Sequence, residues 1–259
     1  MSEEIALPSS MRSALGDKKL TLLRTPGKTA DKIFLVSDGK DGILKISATR
    51  RDELEAHAIA LKWLSGKLPV SELYAFVKTE SLAALLTSAI EGTDASEWCK
   101  TETPERVAEA CALALLKIHA LAPEGCPLDA RLDRRIQEAK VNLDAGLVDL
   151  EDLDEVRQGR PGPALFQELI DRRPPSEDLV FVHGDYCLPN IFVKDDMLTG
   201  FVDLGRCGIA DRYQDLALLC RSLKFNLGKD MVQVVADVYG QGALDSEKLD
   251  YYCLLDEFF

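Results

Sequence analysis

The sequence predicts an α+β protein in two parts: a small β-rich N-terminal lobe with one helix, then a larger, mainly helical C-terminal lobe with a β-hairpin insert. Three observations predict it. Short β-like runs crowd the first ninety residues around one amphipathic segment. After Glu91-Gly92 the apolar spacing turns helical and stays so for most of the chain. Inside that helical half, residues 179–203 revert to β-like runs. The expected division is 1–91 and 92–259, with a cleft between the lobes.

Each element has its own signal. Residues 33–37 (IFLVS) and 42–47 (GILKIS) flank the turn-rich DGKDG, so they read as a hairpin. Residues 52–65 place Leu54, Ala58, Leu61 and Leu64 at helical spacing, and Gly66 with Pro69 ends the run. LYAFV (73–77) and LAALLTSA (82–89) suggest two more strands. Thr103-Pro104 is an N-cap followed by proline at the first helical position, and VAEACALALLKIHAL is apolar enough for a central buried helix. A helix with an acidic connection fills 129–158, the run Arg160-Pro161-Gly162-Pro163 marks a loop, and a helix covers 164–172. Helices follow at 211–224, 229–240 and 246–256.

Composition narrows the function. The 259 residues are 46% hydrophobic, ordinary for a globular protein with a sizeable core. A net charge of −13 repels phosphate backbones, which argues against a nucleic-acid partner. The same charge attracts cations, although solubility alone also accounts for it. MSEEIALPSS lacks the apolar core of a signal peptide, and no apolar run reaches the length of a membrane span. The seven cysteines include no CxxC pair and sit mostly in apolar runs, as small core residues of a reducing cytoplasm would.

The chemistry concentrates in residues 179–218. Runs 191–194 and 199–202 flank Asp195–Leu198; a hairpin around that four-residue loop sets 190 opposite 203. Asn190 and Asp203 then offer one amide oxygen and one carboxylate, an open site for a hard cation such as magnesium. Asp185, on the loop entering the hairpin, is placed to orient a hydroxyl beside a metal-bound phosphate. His-x-Asp-x-x-x-x-Asn followed by Asp-x-Gly repeats the kinase catalytic-loop and metal-binding signatures. Pro26-Gly27-Lys28-Thr29 does not make a P-loop, because the required earlier glycine is Leu22.

HGDYCLPNIFV together with GFVDLGRCGIADRYQDLAL resembles the aminoglycoside phosphotransferases, specifically the 3′-phosphotransferases. WLSGKLPV and the ending YYCLLDEFF extend the resemblance over nearly the whole chain. It implies a bilobal protein-kinase-like fold and ATP as co-substrate with Mg2+. It further implies phosphorylation of the 3′-hydroxyl of kanamycin- or neomycin-type antibiotics, and hence resistance. The expectation is a cytoplasmic monomer whose N-terminal lobe takes the nucleotide and whose C-terminal lobe takes the drug.

Residue by residue, the resemblance makes Asp185 the catalytic carboxylate and Asn190 and Asp203 the metal ligands. Lys45 matches the lysine on the α- and β-phosphates, where an exposed edge lysine is the plainer reading. Thr29 matches the loop covering the phosphates, and Ser88 and Ile90 fall in the hinge that meets adenine. On the antibiotic side it implies Asp152, Glu155, Arg221, Asp256, Glu257 and Phe259 with its terminal carboxylate. A solvated acidic loop is the plainer reading for the first pair; for Arg221 an internal salt bridge stands level with the substrate role. His183, Asp215 and Arg206 read as braces of the catalytic loop, His119 as a satisfied core histidine, and Trp63 as packing.

Three positions depart from the family pattern. His57 stands where a glutamate usually pairs with the strand lysine, and Glu53 lies one turn before it on the same face. Ile43 replaces an aromatic that stacks on adenine, and Phe225 replaces an acidic pocket residue. Two other readings remain: a kinase for a different small alcohol, and a non-catalytic protein that binds aminoglycoside.

Overall fold

A computed structural model describes residues 7–24, 32–37 and 42–259. By packing, the chain divides into two units: Met1–Glu91 with Thr199–Arg206, and Gly92–Leu198 with Cys207–Phe259. No helix among the described residues is long and apolar enough to cross a membrane.

The first unit is built on a five-stranded antiparallel sheet. Its strands are β1 (Lys19–Arg24), β2 (Lys32–Ser37), β3 (Gly42–Ser47), β4 (Leu73–Lys78) and β5 (Ala83–Ser88), in the order β1-β2-β3-β5-β4. Alternation sorts its two faces. Phe34, Val36, Leu44, Ile46, Ala84 and Leu86 point one way, against Leu7 and against Met11 and Leu15 of helix α1 (Ser9–Leu15). Ala83 and Leu85 point the other way, against Leu54 and Ala58 of helix α2 (Arg51–Leu64). The expected hairpin, helix and strand pair are all present. Helix α1 and strand β1 were not expected from the sequence.

The second unit is mainly helical. Helix α4 (Pro104–His119) follows the short α3 (Ala95–Trp98), and Thr103 Oγ1 caps α4 by accepting from the Arg106 N–H at 3.4 Å. Its buried face runs through Val107, Cys111, Leu115 and Ile118, as the apolar pattern requires. Helices α5 (Leu132–Asp144), α6 (Gly162–Asp171), α7 (Tyr213–Leu227) and α9 (Ser246–Asp256) enclose a second core around Leu169, Tyr251, Tyr252 and Phe258, and α8 (Val232–Val238) lies between the last two in sequence. Strand β7 (Leu179–Val182) pairs antiparallel with β10 (Gly208–Asp211), setting Val182 opposite Gly208.

The β insert differs in one respect from the sequence expectation. Strand β8 (Ile191–Lys194) turns into β9 (Met197–Phe201) through two residues, Asp195 and Asp196, both at positive φ (50° and 62°). That is the backbone of a tight two-residue hairpin turn. The four-residue loop on which 190 was set opposite 203 is therefore absent. Trp98 Nε1 and Arg106 both reach Asp196, at 3.2 and 2.9 Å, and hold the turn. Strand β6 (Thr93–Asp94) pairs with β8, and Gly92 approaches it so closely that a Cβ would lie 2.3 Å from the Val193 carbonyl oxygen.

Residues 199–206 join the first unit through specific contacts. Thr199 Oγ1 donates to the Glu91 carbonyl at 2.7 Å, and the Phe201 N–H to the Pro69 carbonyl at 3.0 Å. Gly205 packs on Glu53 at the start of α2. The Asp-x-Gly signature is thereby carried by the same unit as Lys45.

Candidate active site

In the first unit the central strand β3 presents Lys45. The residue faces Ile33 on β2 and Leu85 on β5, so it shares the α2 side of the sheet. Lys45 Nζ lies 2.9 Å from Asp203 Oδ1, with side-chain exposures of 18% and 42%. Burial works against the Asp203 charge, but the Lys45 ammonium, then His57 and Arg206, hold its carboxyl well below the usual range. The carboxylate is thus ionised and still open to a further cation. Asp203 also sits at φ 61°, a left-handed conformation that costs a non-glycine residue about 1 kcal/mol or more.

Two neighbours on α2 bear on this pair. His57 is buried, and its proximity to Asp203 favours the ionised carboxylate. Glu53 lies a turn earlier; burial raises its pKa, while Arg206, Arg50 and Lys45 oppose that rise. Ser88 ends β5 with both its N–H and its hydroxyl committed to Glu72, each at 2.9 Å. The Ile90 side chain covers Gly200, where a Cβ would meet it at 2.5 Å. Thr29 lies outside the described residues.

In the second unit β7 delivers the loop His183-Gly184-Asp185. Asp215, in the first turn of α7 and fully buried, accepts from the His183 and Gly184 N–H groups at 2.7 and 2.8 Å. His119 Nε2 meets the same carboxylate at 3.0 Å, and its Nδ1 meets the Tyr239 hydroxyl. The Tyr186 hydroxyl donates to the Cys111 carbonyl at 2.8 Å, and Ser222 Oγ accepts from the Leu188 N–H at 2.9 Å. Every turn of the loop is thus tied to a helix.

Asp185 and Asn190 are brought together by this bracing. Asn190 Nδ2 donates to the Asp185 carbonyl at 2.9 Å and to its Oδ2 at 3.0 Å. The amide nitrogen is therefore committed, and the Asn190 oxygen is the atom left to act as a ligand. It also fixes the rotamer of the half-buried Asp185 carboxylate. Among the described residues, no three or more His, Cys, Asp or Glu side chains converge as a metal site. A hard cation here would depend on few protein oxygens and more on phosphate and water, which is how magnesium binds.

The acidic region of the same unit is more neutralised than its composition suggests. Arg221 on α7 pairs with Asp256 and, at 3.4 Å, with Asp154. Arg157, 3% exposed, pairs with Asp250 at 2.6 Å and Asp154 at 3.3 Å, with Glu257 at 4.0 Å. Glu257 accepts from the Asp154 N–H at 3.2 Å. Burial, then repulsion from Asp154, pushes its carboxyl up to about 7. The Phe259 ring lies 5.6 Å from the Arg135 guanidinium, and Asn142 Nδ2 donates to the Phe258 carbonyl at 2.8 Å.

Of the residues assigned to the antibiotic, the structure therefore links Arg221, Asp256 and Glu257. Asp152 and Glu155 are exposed on the loop instead. Asp154 between them turns inward and was missed. Its signals were the preceding Leu153, which is buried, and Arg157 three residues on. Phe225 is 86% exposed.

Comparison with known proteins identifies the family. A family model described as "Phosphotransferase enzyme family" matches residues 23–252. An aminoglycoside 3′-phosphotransferase of Niallia circulans is 36% identical, over 97% of this chain and 97% of that one. One from Streptomyces fradiae is 39% identical over 80% of each chain. A crystal structure of a type VIII aminoglycoside-3′-phosphotransferase superposes with a TM-score of 0.87 at 33% identity, covering 96% of this chain and 97% of that one. A Streptomyces rimosus aminoglycoside phosphotransferase, solved with ADP and streptomycin, gives 0.80 at 28% identity, covering 96% and 95%. This chain, with its Asp185–Asn190 loop and its Lys45–Asp203 pair, belongs to the phosphotransferase enzyme family, among the aminoglycoside phosphotransferases.

Proposed function

We propose that this enzyme transfers the γ-phosphate of ATP to the 3′-hydroxyl of kanamycin- and neomycin-type aminoglycosides, and so inactivates them. The observation that carries the reading is the Asp185 carboxylate held at 3.0 Å by Asn190 on a loop anchored to buried Asp215. An acceptor hydroxyl needs an oriented carboxylate fixed by its surroundings. Relatives named as aminoglycoside 3′-phosphotransferases set the substrate class.

The residues divide the work. Asp185 accepts the hydrogen bond of the 3′-hydroxyl and aligns its oxygen for in-line attack. Asn190 keeps that carboxylate in one rotamer. Lys45 leaves its pairing with Asp203 for the α- and β-phosphates, while the backbone of Ser88–Ile90 and Thr29 serve adenine and the phosphates. The Asn190 oxygen and the Asp203 carboxylate would hold Mg2+, both being hard oxygen donors. Magnesium, when bound, neutralises charge on the transferring phosphate.

The drug's ammonium groups fall to the acidic side chains of the second unit: Asp256, Glu257, Asp152, Glu155 and the Phe259 carboxylate. Arg221 orients Asp256 rather than touching a cationic drug. The first unit is the nucleotide lobe and the second the drug-binding lobe. The seven cysteines are all free thiols, in keeping with work in a reducing cytoplasm. Incubation with magnesium–ATP and kanamycin tests the reading. One added phosphate by mass spectrometry, located by NMR on the 3′-oxygen, is expected; phosphate at another hydroxyl, or none, contradicts it.

A further inference from the structure

Position 57 of α2 holds a buried histidine beside Asp203, so it supplies no negative charge to Lys45. The acid that does reach this corner is Glu53, one turn earlier. Its side chain is 28% exposed, and its attractive charge partners are Arg206 first, then Arg50, then Lys45. Arg50 stands 3.8 Å away, too far for a hydrogen bond. Arg206 closes the same turn that begins at Asp203.

Backbone packing points to the same place. A Cβ on Gly205 would lie 2.5 Å from Glu53 Cγ and 3.0 Å from the Glu53 carbonyl oxygen. Only glycine lets the first turn of α2 sit this close to the Asp203–Arg206 turn. That turn needs a hold, because Asp203 occupies a left-handed conformation, which persists only when its surroundings impose it. The Glu53 side chain packed on Gly205 is such a hold.

We infer that Glu53 is a positioning residue for the nucleotide: packed on Gly205, it fixes the turn that presents Asp203 and Lys45 to magnesium–ATP. The role rests on the assignment of Lys45 and Asp203 above. When nucleotide binds, the 2.9 Å Lys45–Asp203 pair must open so that each meets its own ligand. Glu53 then keeps the turn from relaxing to an ordinary backbone conformation. It touches neither substrate, so its effect should fall on nucleotide parameters alone.

Glu53→Gln keeps the shape and removes the charge; Arg206→Gln removes the partner independently. Each is expected to raise the KM for magnesium–ATP about tenfold and to raise the magnesium concentration needed for half-maximal rate. The double variant is expected to be no worse than the weaker single one. Kanamycin affinity by calorimetry without nucleotide should stay at the wild-type value. Wild-type nucleotide parameters in both singles, effects that multiply in the double, or an equal loss of kanamycin affinity would overturn the inference. Asp203→Ala is the control. If it retains turnover, the underlying site assignment fails; if it is inactive while Glu53→Gln is normal, only the role of Glu53 fails.

Discussion

The two clusters of candidate site residues are built in opposite ways. The half around Asp185 and Asn190 is local: eight consecutive residues, 183–190, carry it, and buried acceptors on α7 pin its backbone. The half around Lys45 and Asp203 is assembled from distant stretches: one central strand, the first turns of α2, and a turn more than 150 positions downstream. The first is rigid because its N–H groups are satisfied by Asp215 and Ser222. The second is held by the Lys45–Asp203 ion pair, which the proposed nucleotide role requires to open. Catalysis by positioning suits the first, and binding followed by rearrangement suits the second.

The largest effect should come from Asp215. Its replacement by alanine strands two buried N–H groups and the His119 ring, at a cost of about 3 kcal/mol or more. Denaturant unfolding should show that loss, and turnover should vanish with it. An Asp215→Ala protein of wild-type stability would erase the rigid half of the contrast.

Lys45→Met should come next and behave differently. Stability should hold, while kcat/KM for ATP falls about 100-fold. The Asp203 carboxyl, relieved of its nearest cation, should rise toward its ordinary range, which carbon-detected NMR would follow. Equal damage to kanamycin binding would blur the division of labour.

Ser222→Ala probes the same contrast more gently. It leaves the Leu188 N–H without its acceptor and should cost about 1–2 kcal/mol. The loss should appear in kcat more than in the KM for ATP, because Leu188 opens the turn that carries Asn190.

Glu257 gives the smallest effect, and a pH-dependent one. Its carboxyl is raised in the fold to about 7 from 4.5, so the folded state binds the extra proton between these values. Its contribution to stability is present below 4.5 and is lost as pH rises through 7. Glu257→Gln should flatten that decline in thermal melts. Ionisation of Glu257 also favours a polycation, so kanamycin affinity should rise from pH 6 to 8 by several-fold more in wild type than in the variant. Identical profiles would place Glu257 outside the drug site.

These contrasts also explain what the sequence could show. The 183–190 loop was legible because its spacing is its structure. Lys45 was legible as a strand position through alternation with the core residues Leu44 and Ile46. The membership of 199–206 in the first unit was not, because β9 reads locally as the partner of β8 and its bond to Pro69 is long-range. Helix α1 buries just two core residues, Met11 and Leu15, within seven and has no side-chain cap, too little for a periodic signal. The Asp195-Asp196 turn hid because aspartate in a left-handed conformation carries no glycine signature. Asp154 was masked by exposed acids on either side, and only packing separates it from them.

The most direct measurement is on Asp185→Ala, with kanamycin affinity taken by calorimetry and turnover by coupled release of ADP. A fixed, oriented carboxylate at the hydroxyl predicts wild-type affinity with kcat lower by roughly 100- to 10,000-fold. A variant that binds the drug normally and turns over at the wild-type rate would contradict the account.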